Sequence, residues 1–212
     1  MDVYVAAKNM RGPWADRSHL EHPFIVDVTS AQAKEGPYRK AFSPMHMGDP
    51  YVCEHEGSFP NFEAYWQSLK MIEGQNEAKH KQWWKDIKAP KRRHPSLSGI
   101  KKSRVVGAKH KRFPGEVMGY VESRKKVYVP DYYDMVKNKY QTTHLQEMQQ
   151  YSSRPIVVYD FDGPRDVKGE PICEKVTVEM LRERINDASK PFGHGFVVAA
   201  MVAGIEPGQY TA

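Results

Sequence analysis

Residues 59–70 read Phe-Pro-Asn-Phe-Glu-Ala-Tyr-Trp-Gln-Ser-Leu-Lys, and this stretch constrains the fold more tightly than any other. Phe62, Tyr65, Trp66, Leu69 and Ile72 follow the i, i+3, i+4, i+7 spacing of an amphipathic helix. Ser58 or Asn61 is placed to cap its start, Pro60 suits a first turn, and Gly74 suits a stop. Glu63 is the only charge in the stretch before Lys70. With Gln67 and Lys70 it falls at i, i+4 and i+7, a polar row beside the apolar stripe. A carboxylate among aromatic side chains is costly unless it is hydrogen-bonded or put to use. Two readings fit the row: a solvated helix edge, or an acid, an amide and an amine bordering a pocket.

Charge is unevenly spread. Residues 79–112 hold thirteen Lys or Arg and a single acid, Asp86, so this segment carries +12 while the 212-residue chain carries +6. The remainder therefore sums to −6. A basic island on an acidic body fits an anionic partner, either nucleic acid or a phosphorylated small molecule, or else a solvated basic loop. The island lacks the large apolar stripe of a membrane-binding helix, and no run approaches the ~20 apolar residues that cross a bilayer. The N-terminus lacks the basic start and apolar run of a signal peptide. With only Cys53 and Cys173 there is neither a disulfide framework nor a thiolate metal site, which implies a reduced, cytoplasmic setting.

The segmentation points to one α+β domain over residues 1–212, predominantly α-helical, with a few short strands. Strands are expected at Val3–Ala6, Phe24–Val28 and Pro155–Tyr159, with Gly12-Pro13, Gly36-Pro37 and Asp49-Pro50 as punctuation. Helices are expected at about Asn76–Ile87, Glu116–Tyr128, Asp131–Lys139, Thr143–Tyr151, Thr177–Ala188 and His194–Gly204. Residues 89–115, with Pro90, Pro95, Gly99, Gly107 and Pro114, read as a basic loop insertion. Its Arg92 and Arg93 can grip phosphate through two nitrogens, and Phe113, Trp83 and Trp84 can stack on a base or pack in a core.

Val157-Val158-Tyr159-Asp160-Phe161-Asp162-Gly163 resembles the strand-end Asp-x-Asp-Gly of haloacid-dehalogenase-type phosphatases, but too little chain follows for that family's sheet. The same residues also read as an Asx-type turn after a strand, or as a source of a second acid beside Glu63. The histidines show no metal-ligand spacing, so neither a metal nor another cofactor is expected. His194, between Gly193 and Gly195 at a helix start, suits either an anion-binding helix N-terminus or a tight turn.

In order along the chain, these features resemble the NADAR (YbiA-like) superfamily, known for N-glycosidases acting on ribosides. Pro60 to Lys70 is similar to its helix carrying Glu, aromatic residues, a Gln four on and a Lys seven on. Phe42-Ser43-Pro44 is similar to its Phe-Ser-Asn-Phe start. Met118 with Arg124-Lys125-Lys126 resembles its Met…Arg-x-Lys-Phe helix. Ile156 to Gly163 resembles its strand and Asp-containing loop, and Gly193-His194-Gly195 with the apolar run to Ala203 its closing helix. Phe113 in place of Trp, Gly163-Pro164 in place of Trp-Gly, and His194 mark a divergent branch.

The resemblance implies a YbiA-like fold and hydrolysis of a C1′–N bond through an oxocarbenium-like transition state. Glu63 would stabilise the cation or activate a water, and Asp160 or Asp162 would hold ribose hydroxyls or act as general base. Lys70 would hold a phosphate or keep Glu63 ionised. Gln67, Tyr65, Arg92, Arg93, Phe113, Arg124, Lys126 and His194 complete the expected substrate contacts. The implied substrate is a phosphorylated riboside or an ADP-ribosyl-type adduct. The alternative is a nucleic-acid-binding accessory protein that uses the basic loop without catalysis.

Overall fold

A computed structural model describes residues 2–29, 36–48, 50–98, 102–140, 144–151 and 153–212. Asp49, Gly99 and Thr143, used above as turn and boundary markers, lie outside the described residues. In chain order the elements are β1 (Val3–Ala7), β2 (Phe24–Asp27), α1 (Pro37–Ala41), β3 (Tyr51–Cys53), β4 (Gly57–Phe59), α2 (Phe62–Ser68), β5 (Lys70–Ile72) and α3 (Glu77–Asp86). There follow β6 (Val105–Ala108), α4 (Tyr120–Ser123), a π-helical turn (Arg124–Tyr128), α5 (Val129–Tyr140), α6 (His144–Gln150), β7 (Ile156–Asp160), β8 (Cys173–Lys175), α7 (Val178–Asn186) and α8 (His194–Val202). Short 3-10 turns sit at Pro95–Leu97 and Pro207–Gln209.

The expectation of a predominantly helical chain is corrected. Among the described residues helix accounts for 36% and strand for 18%, a mixed α+β fold with a four-stranded sheet. The strands missed are three or four residues long. Such segments carry too little periodicity to be read alone and exist because a distant partner pairs with them.

The residues expected to form a single domain divide into two compact units, 1–43 with 124–212 and 44–123. The first unit holds the sheet, in the order β2-β7-β1-β8. β7 lies parallel to both β1 and β2, with Val5 opposite Val158 and Val26 opposite Val158 on its other side, and β8 runs antiparallel to β1. Every residue of β7 is buried, which explains its unbroken apolar run Ile156-Val157-Val158-Tyr159. One sheet face packs against α8, whose residues are buried almost throughout. The other carries Ala6, Val157 and Tyr159 beneath Ala15 and Leu20. Among the described residues no helix is long and apolar enough to cross a membrane.

In the second unit, the β3–β4 hairpin sets Tyr51 opposite Phe59 and leads into α2. Asn61 caps α2: its side-chain oxygen accepts the Ala64 N–H at 2.7 Å, and its amide nitrogen donates to the Met45 carbonyl at 3.1 Å. The expected helix is shorter than its apolar stripe. It ends at Ser68, and Lys70–Ile72 turns into β5, paired antiparallel with β6 from inside the expected loop. Lys70 therefore stands on a strand rather than two turns along the helix from Glu63. α3 packs against α2, capped by Asn76 through the Lys79 N–H.

Candidate active site

The second unit assembles Glu63, Gln67 and Lys70 from α2 and β5. Glu63 sits in the first turn of α2, where a negative charge is favoured by the helix dipole, and its backbone N–H donates to the Pro44 carbonyl at 2.8 Å. The Gln67 side-chain amide donates to Glu63 Oε1 at 2.7 Å, the i, i+4 contact that the sequence spacing requires. Gln67 is itself buried, so this hydrogen bond fixes the carboxylate. Lys70 brings its ammonium to 5.7 Å from the centre of the Trp66 ring. Burial, reinforced by the Arg93 charge, pulls the Lys70 amine below its ordinary range, while Glu63 pulls it back up.

Two histidines that sequence reasoning did not single out complete the cluster. His80, on the buried face of α3, lies 3.1 Å from the Gln67 carbonyl through Nε2. A carbonyl only accepts, so Nε2 carries the proton and Nδ1 presents a lone pair, buried without a hydrogen-bond partner. The His80 and His94 rings meet edge-on at 4.9 Å, and His94 meets Trp83 at 4.7 Å. Burial pushes both imidazoles below their usual range. A legible signal for His80 existed: it stands four residues before the core residue Trp84, on the inward face of a helix.

Several expected contacts are placed elsewhere. Tyr65 is fully buried and gives its ring to the core, with Tyr51 at 4.7 Å, Phe59 and Phe62 each at 5.6 Å and His110 at 6.0 Å. Phe113 packs 6.1 Å from His110, under the Arg112 guanidinium. Arg92 and Arg93 are exposed on the loop after α3. Part of the basic island is neutralised locally, because Lys81, Arg104 and Lys109 pair with Glu56, Glu73 and Glu77.

In the first unit, Asp160 ends the central strand and is buried. Its Oδ1 accepts the Phe161 N–H at 2.7 Å, and its Oδ2 accepts the Gly195 N–H at 3.0 Å and lies 3.2 Å from His194 Nδ1. The anion held at the start of α8 is thus the protein's own Asp160 carboxylate. His194 also reaches the Val28 carbonyl through Nε2, at 2.6 Å. Asp162 is exposed. Arg124 is buried and donates through Nη2 to the Asp187 and Lys190 carbonyls at 3.2 and 3.3 Å. Lys126 is half-buried in the π-helical turn.

A family model matches residues 15–172 of this chain, well over half its length, and describes a family of unknown function, DUF6939. The chain belongs to DUF6939. The match spans β2 to β7, so it takes in the strand that ends at Asp160 and the whole Glu63–Gln67–Lys70 cluster. Comparison with curated proteins finds no match. Comparison with solved structures finds none either.

Proposed function

We propose that this DUF6939 protein is an N-glycoside hydrolase acting on a phosphorylated riboside or an ADP-ribosyl-type adduct, with Glu63 as its catalytic carboxylate. The observation that carries the reading is the 2.7 Å hydrogen bond from the buried Gln67 amide to Glu63 Oε1. It holds one oxygen of the carboxylate in place, and in the proposed reaction the other, Oε2, serves the reacting sugar. The resemblance of this segment to the NADAR helix supports the same role.

In the proposed reaction the C1′–N bond breaks with its electron pair leaving on the base nitrogen, and positive charge develops at C1′. Glu63 stabilises that charge and takes a proton from the water whose oxygen bonds to C1′; that proton then passes to the departing base nitrogen, which leaves as the N–H base and restores the Glu63 carboxylate. Lys70 and Arg93 supply two cationic donors for a phosphate of the substrate. The chemistry is assigned to the second unit alone. The carboxylate of Asp160 is already engaged by the first turn of α8.

Glu63→Gln tests this. Glutamine preserves the shape and can still accept the Gln67 hydrogen bond, so the thermal midpoint should stay near wild type. Release of ADP-ribose from ADP-ribosylated guanosine and of free base from phosphorylated ribosides, followed by mass spectrometry, should fall by a factor on the order of 10²–10³. A variant that turns over as fast as wild type would sink the assignment. Non-catalytic binding to nucleic acid is less favoured, because three of the island's cations are matched by glutamates of the same unit.

A further inference from the structure

A cavity of about 250 Å³ opens in the first unit between α5, α6 and the chain leaving α8. The end of α8 shapes it. Gly204 takes a left-handed conformation, with φ at 72°. Its N–H donates to the Met201 carbonyl at 3.1 Å, and the Ile205 N–H donates to the Ala200 carbonyl at 2.9 Å. These two bonds close the helix as a Schellman motif, which glycine permits at no steric cost. The next residues, Ile205 and Glu206, line the cavity. Glu206 is held by its own backbone, whose N–H donates to Gln209 Oε1 at 2.7 Å. On α5, Tyr133 and Lys137 stand one turn apart and line the same space. Leu145 and Val202, both buried, supply apolar walls beside Ile205.

The rim carries one charge of each sign. Lys137 Nζ stands 3.9 Å from Glu206 Oε1, longer than the ~2.7–3.2 Å of a direct N–H···O bond. It also lies 5.5 Å from the centre of the Tyr133 ring. The Lys137 and Glu206 side chains are 41% and 61% exposed, so their mutual attraction adds little to folding and both remain open to a ligand. Burial, together with the Glu206 carboxylate, pushes the Tyr133 phenol up, so its hydroxyl stays a donor to Glu206. A ligand with one charge is attracted by one rim residue and repelled by the other. A ligand with both charges on neighbouring atoms is attracted by each, its carboxylate by Lys137 and its ammonium by Glu206. The apolar walls below can take a hydrocarbon side chain. The volume falls just under the ~300–1,000 Å³ of pockets for drug-sized ligands, which restricts the occupant to a small molecule.

We propose that this cavity binds a free α-amino acid with an aliphatic side chain. Lys137 pairs with its carboxylate, Glu206 pairs with its ammonium, and Leu145, Val202 and Ile205 enclose the side chain. The site lies wholly within the first unit, whereas Glu63 belongs to the second. Binding here does not depend on the N-glycosidase reading.

The test is titration calorimetry of the full chain with L-leucine, L-valine and L-methionine. Glycine, isocaproate and isoamylamine serve as probes that lack the side chain, the ammonium and the carboxylate respectively. At least one of the three aliphatic amino acids should bind, and each of the three truncated probes should bind about tenfold or more weakly than it. Lys137→Gln and Glu206→Gln should each weaken amino-acid binding on the order of tenfold. Both side chains are largely exposed, so the thermal midpoint should not move. Lys137→Gln should at the same time bind isoamylamine more tightly than wild type does, because the repelling ammonium is gone. Methyl resonances of Leu145, Val202 and Ile205 should shift as the amino acid is added. Absence of binding by all three amino acids at millimolar concentration would overturn the proposal. Equal affinity for isocaproate or isoamylamine would overturn the two-charge recognition, and binding that leaves those three methyl groups unmoved would overturn the site.

Discussion

A side-chain methyl at position 195 would overlap the β-carbon of Asp160 and come within 3.0 Å of its Oδ2, and one at position 193 would meet Asp162 Cβ at 2.7 Å. Glycine is thus required on both sides of His194 for steric room against the end of β7, rather than to admit a ligand. Gly195→Ala should lower the midpoint of urea unfolding by an amount equivalent to on the order of 2–3 kcal/mol, since backbone and a buried strand end cannot both yield. An unchanged midpoint would show that α8 shifts freely away from Asp160. At this scale the Glu63–Gln67 contact was legible, because i, i+4 neighbours on a helix meet whatever the rest of the chain does. The engagement of Asp160 was not. Its partners, Gly195 and His194, are separated from it by a loop, a strand and a helix.

At the scale of elements, α2 is the piece that places the candidate carboxylate, and Asn61 anchors it at both ends of one amide. Asn61→Ala should destabilise the protein by about 1–2 kcal/mol in thermal or urea unfolding, the loss of a cap together with a buried hydrogen bond. Asn61→Asp should retain the cap and most of the stability, and equal loss in both variants would argue that the amide nitrogen matters more than the cap. The C-terminal end of the same segment shows where local reading stops. Leu69 and Ile72 continue the helical spacing, yet Lys70–Ile72 becomes a strand because Val105–Ala108 returns beside it. A short apolar run satisfies either period, and the pairing partner decides.

At the scale of the whole molecule, the acid response should be dominated by the second unit. His80 and His94 are both held below the ordinary imidazole value of 6.5 by burial. A depressed folded pKa means the unfolded chain binds the proton first. The stability these groups contribute is present above pH 6.5 and is lost as the pH falls from there through their folded values. Glu56 acts later. Burial alone would raise it, but the Lys81 ammonium and the Lys111 N–H outweigh that and lower it, so its contribution is lost only below the usual carboxylate range. Urea midpoints measured between pH 7 and 5 should therefore decline, and the double substitution His80→Gln with His94→Asn should flatten that decline. A wild-type midpoint constant over this range would contradict the burial of the two rings.

Local sequence was enough for a helix starting near Phe62, one of its two candidate caps, the polar pair Glu63–Gln67 and a buried strand expected over Pro155–Tyr159 and found over Ile156–Asp160, because each depends on neighbours within a few residues. Only long-range packing produced the β2-β7-β1-β8 sheet, the conversion of Lys70–Ile72 to a strand, and the contact of His80 with His94 and with the Gln67 carbonyl. It also decided that Asp160 serves the start of α8. The physical reason is common to all of these. Parallel pairing, burial and ring contact arise between residues far apart in the chain, and their energies exist only once the backbone has closed those distances.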